Sequence, residues 1–232
     1  MTMLNQFLWV IYPYLCLAIF VVGHIFRYRT DQFNWTAKSS EFIEKKRLMA
    51  GSLLFHLGVI PVFFGHVSGL GIPKSWMRAF GVDDHIYHIG AVYIGGIFGA
   101  MTLIGMLILT ARRFTMKNVR RLSSASDLAV NALLLIIVCM GMFATLVTNA
   151  VRPEFDYRET ISVWFRGLFM LRPDASLMTD VPLSFKLHAL LGFGILAFWP
   201  FSRLVHVWSV PLNYMGRSYI LYRKNKTTRR EG

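Results

Sequence analysis

Four histidines stand inside apolar segments long enough to cross a membrane, and they fall into two pairs. His56 and His66 share the segment GSLLFHLGVIPVFFGHVSGL, and His188 and His206 share LSFKLHALLGFGILAFWPFSRLVHVW. An imidazole in hydrocarbon is costly unless it is paired or ligated, so ionisable residues at this depth indicate a functional site. Two helices that carry two histidines each can hold two metal centres at two depths, an arrangement that favours a di-haem membrane cytochrome.

The composition places these segments in a membrane. Hydrophobic residues make up 55% of the 232 residues and charged residues only 16%, whereas soluble domains carry roughly 25% charged residues. A soluble helical bundle is disfavoured because its helices would need a polar stripe, which the first and fourth apolar stretches lack. The sequence therefore predicts an all-α membrane protein, with one transmembrane domain over residues 1–232 and five spans at about 4–26, 48–70, 86–110, 127–150 and 184–208.

Charge asymmetry predicts the orientation of the chain. Most of the 25 Lys and Arg residues lie in the connections 27–47 and 111–126 and in the C-terminal tail, which includes the basic segment 209–232. The positive-inside rule then places the N-terminus outside and the C-terminus in the cytoplasm. The first span is predicted to be retained, because its charges follow the apolar run instead of preceding it. A one-sided basic excess indicates topology and contact with the lipid bilayer, not binding to nucleic acid.

The order of the spans pairs the histidines. The second and fifth spans are antiparallel, so matched depth brings His56 to His206 near the inner side and His66 to His188 near the outer side. In an unbroken fifth helix His188 and His206 lie about five turns apart on one face. The mean of this spacing and the His56–His66 spacing places the two predicted metal centres about 21 Å apart. Pro61, between the two histidines of the second span, can kink that helix and reorient one of them.

Two histidines per iron fill both axial positions of a haem, which is typical of electron transfer and not of oxygen activation. Zinc or a di-metal site would need carboxylates or thiolates in the same ligand set, and these spans offer neither. Glycines beside the histidines would let a flat cofactor approach the backbone closely. These glycines are Gly51, Gly58, Gly65, Gly69, Gly192 and Gly194.

The candidate quinol and propionate residues have two interpretations each. His85 and His88, at the outer start of the third span, are either ordinary interface residues or part of a quinol site. Arg203, with Arg112 or Arg113, is a candidate partner for the haem propionates at the inner side; the simpler interpretation of Arg112 and Arg113 is positive-inside topology. A transporter or a purely structural membrane anchor would explain the spans but not four depth-matched histidines.

With these residues in place, the sequence resembles the gamma subunit of respiratory nitrate reductase, a membrane b-type cytochrome family. The resemblance covers essentially the whole chain. The motifs that carry it are IYPY at 11–14, FRYRTDQFNW at 26–35, AKSSEFIEKK at 37–46, FHLGVIPVFFGH at 55–66, FKLHALLG at 185–192 and PFSRLVHVWSVPLNY at 200–214.

The resemblance implies two haem b groups in a multi-pass protein of the bacterial cell membrane. His56 and His206 would ligate the inner haem, and His66 and His188 the outer haem. Quinol would be oxidised near the outer haem, and electrons would pass inward to a cytoplasmic iron–sulfur subunit and then to a molybdenum-containing catalytic subunit. The nitrate-reducing site would lie on that other subunit.

Members of this family carry a lysine near the start of the third span, where it contacts quinol. Here the stretch VDDHIYHIGAVYIGG contains none, and Tyr87 with the flanking His85 and His88 occupies that neighbourhood. The predicted quinol contacts are therefore Gly65, His66, His85, Tyr87 and His88. A related di-haem cytochrome b of another quinone-linked reductase, or a non-redox membrane anchor, is the alternative function.

Overall fold

The computed structural model describes residues 2–31 and 42–209. The predicted basic segment 209–232 lies almost wholly outside the described residues, as does part of the predicted first cytoplasmic connection. Within the described ranges the chain is mostly helical and forms no strand. The helices are α1 (Met3–Thr30), α2 (Lys46–Gly71), α3 (Lys74–Ala79), α4 (Asp84–Thr115), α5 (Lys117–Arg121), α6 (Ala125–Val151), α7 (Ile161–Phe169) and α8 (Leu183–Phe201).

Five of these helices, α1, α2, α4, α6 and α8, are long and apolar enough to cross a membrane. This confirms the predicted all-α, five-span fold. Local sequence sets several of the helix starts. Ser124 and Asp127 form a reciprocal capping box at the start of α6, and the Asp83 carboxylate accepts the Ile86 backbone N–H at the start of α4.

The bundle has two chemically different ends. One end, the connection end, consists of residues 72–83 and 152–182 together with the N-terminal turns of α1. The opposite end, the basic end, consists of the C-terminus of α1, the N-terminus of α2 and the α4–α6 connection. A π-helical turn lies within the first, third and fourth spans and ends the second span, and all four turns lie toward the connection end. Such turns add a residue to one helical turn and are frequent at functional sites.

Residues 152–182 form an ordered cap, although the sequence suggested only a connection. Trp164 of α7 and Met178 are 1% and 0% exposed, and they pack with Trp9 and Cys16 of α1 and Phe193 of α8. The Trp164 indole N–H also donates to the Trp9 carbonyl at 2.7 Å. The most deeply buried apolar cluster of the described chain therefore joins this cap to the first and fifth spans.

Helix α2 packs along α4 through small residues. A Cβ added at Gly58 would lie 2.5 Å from the Thr102 backbone nitrogen, and one at Gly51 would lie 3.0 Å from Ile108. The expectation that these two glycines make room for a cofactor is therefore wrong, because they let two helix backbones approach each other. Gly65 and Gly192, in contrast, have open space around them.

The predicted fifth span over 184–208 needs a correction. The α-helix ends at Phe198, a 3-10 turn covers Trp199–Phe201, and Ser202 is extended before a second 3-10 segment, Arg203–Ser209. Pro200 cannot donate a backbone hydrogen bond, so the helix is interrupted there. His206 thus lies beyond the helix that carries His188, and the spacing of about 21 Å derived for an unbroken helix does not apply.

Candidate functional site: two facing histidine pairs

The four intramembrane histidines face one another in two pairs. The ring centroids of His56 and His206 lie 6.3 Å apart, and those of His66 and His188 lie 5.9 Å apart. The structure therefore brings together the partners that span order and depth predict.

These separations fit one metal ion between two rings. A bond from a metal to an imidazole nitrogen is about 2 Å long, so two imidazoles on opposite sides of one ion place their ring centroids about 6 Å apart. Among the described residues no group of three or more His, Cys, Asp or Glu side chains could enclose an ion. Any further ligands of a metal centre at either pair would come from outside these side chains, and a haem macrocycle is a group that provides them.

Each histidine has one ring nitrogen already engaged. The Nδ1 atoms lie at hydrogen-bond distance from backbone carbonyl oxygens, at 2.7 Å for His56 and Ser52, 2.8 Å for His66 and Val62, 3.1 Å for His188 and Ile137, and 2.6 Å for His206 and Arg203. Because a carbonyl oxygen only accepts, these contacts place the ring proton on Nδ1. In a neutral ring the Nε2 atom then carries the lone pair, and the Nδ1 hydrogen bond is the support found in metal-ligating histidines.

The space around the rings also suits a flat group. Helix α2 packs along α4, while α8 packs against α1 and α6, and the side chains of His56 and His66 remain exposed. Open space at Gly65 and Gly192 lies one residue from His66 and four from His188. Gly141 of α6 backs the His188 ring, since a Cβ there would lie 2.9 Å from its Cε1 atom.

The two pairs are positioned by different elements. His66 and His188 both lie on long helices, whereas His206 lies on the 3-10 segment after α8. Helix α1 contacts that segment: Arg27 donates to the carbonyl oxygens of Pro200 at 2.6 Å and Ser202 at 2.9 Å, and the Trp208 indole donates to His24 at 3.2 Å. These contacts support the chain where its own helix has ended.

The arginines predicted as propionate partners at the basic end are already engaged. Arg112 is buried and pairs with Glu44 at 2.9 Å, and Arg203 pairs with Asp127 at 2.6 Å. Arg113 donates to the Ser123 hydroxyl at 3.2 Å. Their role toward a haem stays a prediction, and the ion pairs show that they also fasten the α2–α4 and α6–α8 ends.

The predicted quinol residues are split between two surroundings. Gly65 and His66 lie on α2, with open space beside Gly65. His85 and His88 are exposed at the start of α4. Tyr87 instead points inward, where its hydroxyl hydrogen-bonds the Tyr157 hydroxyl. The structure thus separates Tyr87 from its two flanking histidines.

Sequence reasoning missed Tyr157 and Arg158. The Arg158 guanidinium lies 4.0 Å above the Tyr87 ring centroid and binds Asp156 at 2.8 Å and Asp84 at 2.9 Å. Burial alone would raise the pKa of Asp156, but hydrogen bonds from Arg158 and Lys74 outweigh it and hold that pKa below its usual range. The adjacent acid, tyrosine and arginine in DYR at 156–158 were the only available signal.

An all-helical, multi-pass membrane protein with two facing histidine pairs is the class that the fold and the site define. The sequence matches the family model "Nitrate reductase gamma subunit" over residues 5–225. The chain belongs to this family, the gamma subunit of an oxidoreductase complex, and the resemblance found in the sequence is confirmed.

The similarity to individual relatives agrees with this family assignment. The nitrate reductase gamma chain of Bacillus subtilis (strain 168) is 49% identical over 96% of this chain and 99% of its own length. The respiratory nitrate reductase 2 gamma chain of Escherichia coli (strain K12) is 36% identical over 96% of this chain and 98% of its own length. A nitrate reductase-like protein NarX of Mycobacterium tuberculosis is 40% identical over 97% of this chain, which spans 34% of that longer protein.

Proposed function

We propose that this chain is the di-haem b membrane subunit of a respiratory nitrate reductase in a bacterial cell membrane. In this function it oxidises quinol near the connection end and delivers electrons to a cytoplasmic iron–sulfur subunit, which serves a molybdenum-containing catalytic subunit. The observation that carries the proposal is the two pairs of facing imidazoles, at 6.3 and 5.9 Å between centroids, with every Nδ1 bonded to a carbonyl.

His56 with His206, and His66 with His188, would hold one haem b each through their Nε2 atoms. When bound, each haem would supply a one-electron carrier held by two imidazoles of the protein. The backbone carbonyls that accept from Nδ1 keep each ring oriented and its Nε2 atom free of a proton. The surrounding spans exclude water and keep the rings at fixed depth.

We place the connection end outside the membrane and the basic end in the cytoplasm, as the distribution of Lys and Arg predicts. Quinol oxidation releases two protons and two electrons. Protons released at the connection end and electrons delivered to the basic end would separate charge across the membrane without a proton channel. Gly65, His66, His85, Tyr87 and His88 remain the proposed quinol contacts.

The test is a reduced-minus-oxidised optical spectrum of the purified complex, combined with a haem assay. We expect b-type bands and two haems per copy of this chain. A preparation of the assembled complex without a b-type band, or with one haem per chain, would contradict the proposal.

A further inference from the structure

A polar cluster of Tyr87, Tyr157 and Arg158 lies close to the His66–His188 pair. A Cβ added at Gly69 would lie 2.5 Å from the Tyr87 hydroxyl and 2.6 Å from the Tyr157 hydroxyl. Gly69 follows His66 by three residues, a rise of about 4.5 Å along α2. The tyrosine–arginine cluster thus lies one helical turn from His66, on the side of the connection end.

Helix α8 reaches the same cluster. Phe185 stacks on Tyr157 with ring centroids 6.2 Å apart and planes at 24°, and it precedes His188 by three residues, about one helical turn. The cluster is therefore next to both histidines of the pair, on the side of the connection end.

The cluster holds hydrogen-bond donors that the protein does not use. Arg158 is 4% exposed; its Nε and Nη2 atoms donate to Asp156 and Asp84. Its buried Nη1 atom has no partner among the described residues. A buried charged donor without an acceptor is energetically unfavourable, so the position favours an incoming acceptor.

The two tyrosines leave a second donor. Their hydroxyls bond to each other, which uses one of the two O–H groups and leaves the other available. Burial raises the pKa of the Tyr157 hydroxyl above its usual range, so it keeps its proton. A guanidinium and a phenol that both lack an acceptor select an acceptor-only ligand, and a carboxylate is the group that arginine binds best.

We propose that the tyrosine–arginine cluster binds a propionate carboxylate of the haem held by His66 and His188. This inference depends on the proposed function, since it requires a haem at that pair. Ionised carboxylates are excluded from hydrocarbon, so a haem in this position must direct its propionates toward a membrane surface, and the cluster is on that side. A quinol hydroxyl, which is neutral and itself a donor, matches the unused donors less well.

The surrounding charges tolerate this ligand. Arg158 belongs to an ion-pair network whose other cations are Lys74 and Arg78, and whose carboxylates are Asp84, Asp156 and Glu159. Three cations face three carboxylates, so the network as a whole is neutral. Under this proposal Tyr87 contacts the haem propionate, so the proposed quinol contacts are reduced to Gly65, His66, His85 and His88.

The experiment uses the full complex in membranes, loaded with haem carrying ¹³C at the propionate carboxyls. Redox-difference infrared spectra report the labelled carboxylates, and an optical redox titration reports each haem. Arg158→Gln should shift the labelled bands. It should also lower the equilibrium constant for reduction of the His66–His188 haem about tenfold, which lowers its reduction potential by about 59 mV. Tyr157→Phe should shift the same bands less, and the other haem should not change.

Matched controls separate this role from general charge effects. Arg78→Gln removes an exposed cation that also binds Asp84, and Tyr93→Phe removes an exposed hydroxyl; neither should move the labelled bands. If Arg158→Gln does not assemble, Tyr157→Phe decides, because it removes a single oxygen.

Unchanged labelled bands in variants that retain both haems would overturn the inference. So would a change confined to the affinity of a quinol analogue, which would assign the donors to quinol. A wild-type complex without a haem at His66 and His188 would instead contradict the proposed function.

Discussion

The two histidine pairs share one chemistry and differ in construction. His66 and His188 both lie on long membrane-spanning helices, α2 and α8, and the ordered cap of residues 152–182 packs next to them. His56 faces His206, which lies on a 3-10 segment after the fifth span and depends on contacts from α1 and α6 for its position. The ring planes differ as well, at 35° for the first pair and 74° for the second. One site is thus fixed by helix geometry and the other by side chains from neighbouring spans.

Removal of single histidines should have the largest effect. His66→Ala and His188→Ala should each abolish one haem, and His56→Ala and His206→Ala should each abolish the other, because an iron that loses an axial imidazole loses half of its protein ligands. Haem content and low-spin EPR spectra check this. His85→Ala, which removes an exposed histidine outside both pairs, should leave two haems. If His56→Ala and His66→Ala each abolish the same haem, the pairing is wrong.

The next largest effect tests the dependence of His206 on α1. Arg27→Gln removes the donor to the carbonyls of Pro200 and Ser202, so the 3-10 segment should move and the affinity for the haem at His56 and His206 should fall about tenfold. The exposed Arg29, two residues along α1, provides the control. The measurement is the retained fraction of each haem after mild detergent extraction. Equal losses at both pairs would show that Arg27 supports the whole bundle instead.

A substitution at Gly141 should have a smaller effect, and it should affect the His66–His188 haem instead of the His56–His206 haem. Gly141→Val would place side-chain atoms against the His188 ring, and such overpacking costs about 1–3 kcal/mol. The EPR signal of the His66–His188 haem should shift or broaden, while the other signal stays unchanged. Gly95→Val is the matched control, since nothing lies near a Cβ at Gly95. If both variants change the same signal equally, the contact with His188 is not the cause.

The smallest effect concerns the ion-pair network at the connection end. Asp156 has a pKa below its usual 3.8, so its contribution to the free energy of unfolding is complete above that value and disappears as the pH falls below it. Asp156→Asn should lower stability by about 1 kcal/mol or less at neutral pH. Thermal unfolding in detergent between pH 7 and strongly acidic pH checks this.

The difference between wild type and Asp156→Asn should shrink as the pH falls, because protonation then removes the same charge in the wild type. Glu154→Gln, at an exposed carboxylate without an ion pair in the described chain, should match wild type throughout. A difference that grows with acidity would reverse the sign assigned to Asp156.

Sequence alone predicted the five spans and the partners of each histidine, because hydropathy and span order determine both. It did not predict where α8 ends. Pro61 lies inside α2, which continues as an α-helix, while Pro200 ends α8; the residue type is the same. At the end of α8, Arg27 of α1 satisfies the carbonyls of Pro200 and Ser202, and a contact between such distant parts of the chain cannot be read from local sequence.

The polar cluster at the connection end was unpredictable for a similar reason. Tyr87, Tyr157 and Gly69 belong to three separate segments, and their contact depends on how residues 152–182 fold over the bundle. Periodicity reports which face of a helix is apolar, but it does not report which side chain of a long connection returns to that face. The sequence indicated Tyr87 as a candidate because it lies near the start of the third span. It gave no such indication for Tyr157 and Arg158.

A cryo-EM map of the complex purified from its membranes tests the central claim most directly. The account predicts one flat macrocycle between the rings of His56 and His206 and a second between those of His66 and His188, each with iron bonded to both Nε2 atoms. Continuous side-chain packing between either pair, or a macrocycle bound by a mismatched pair, would contradict it.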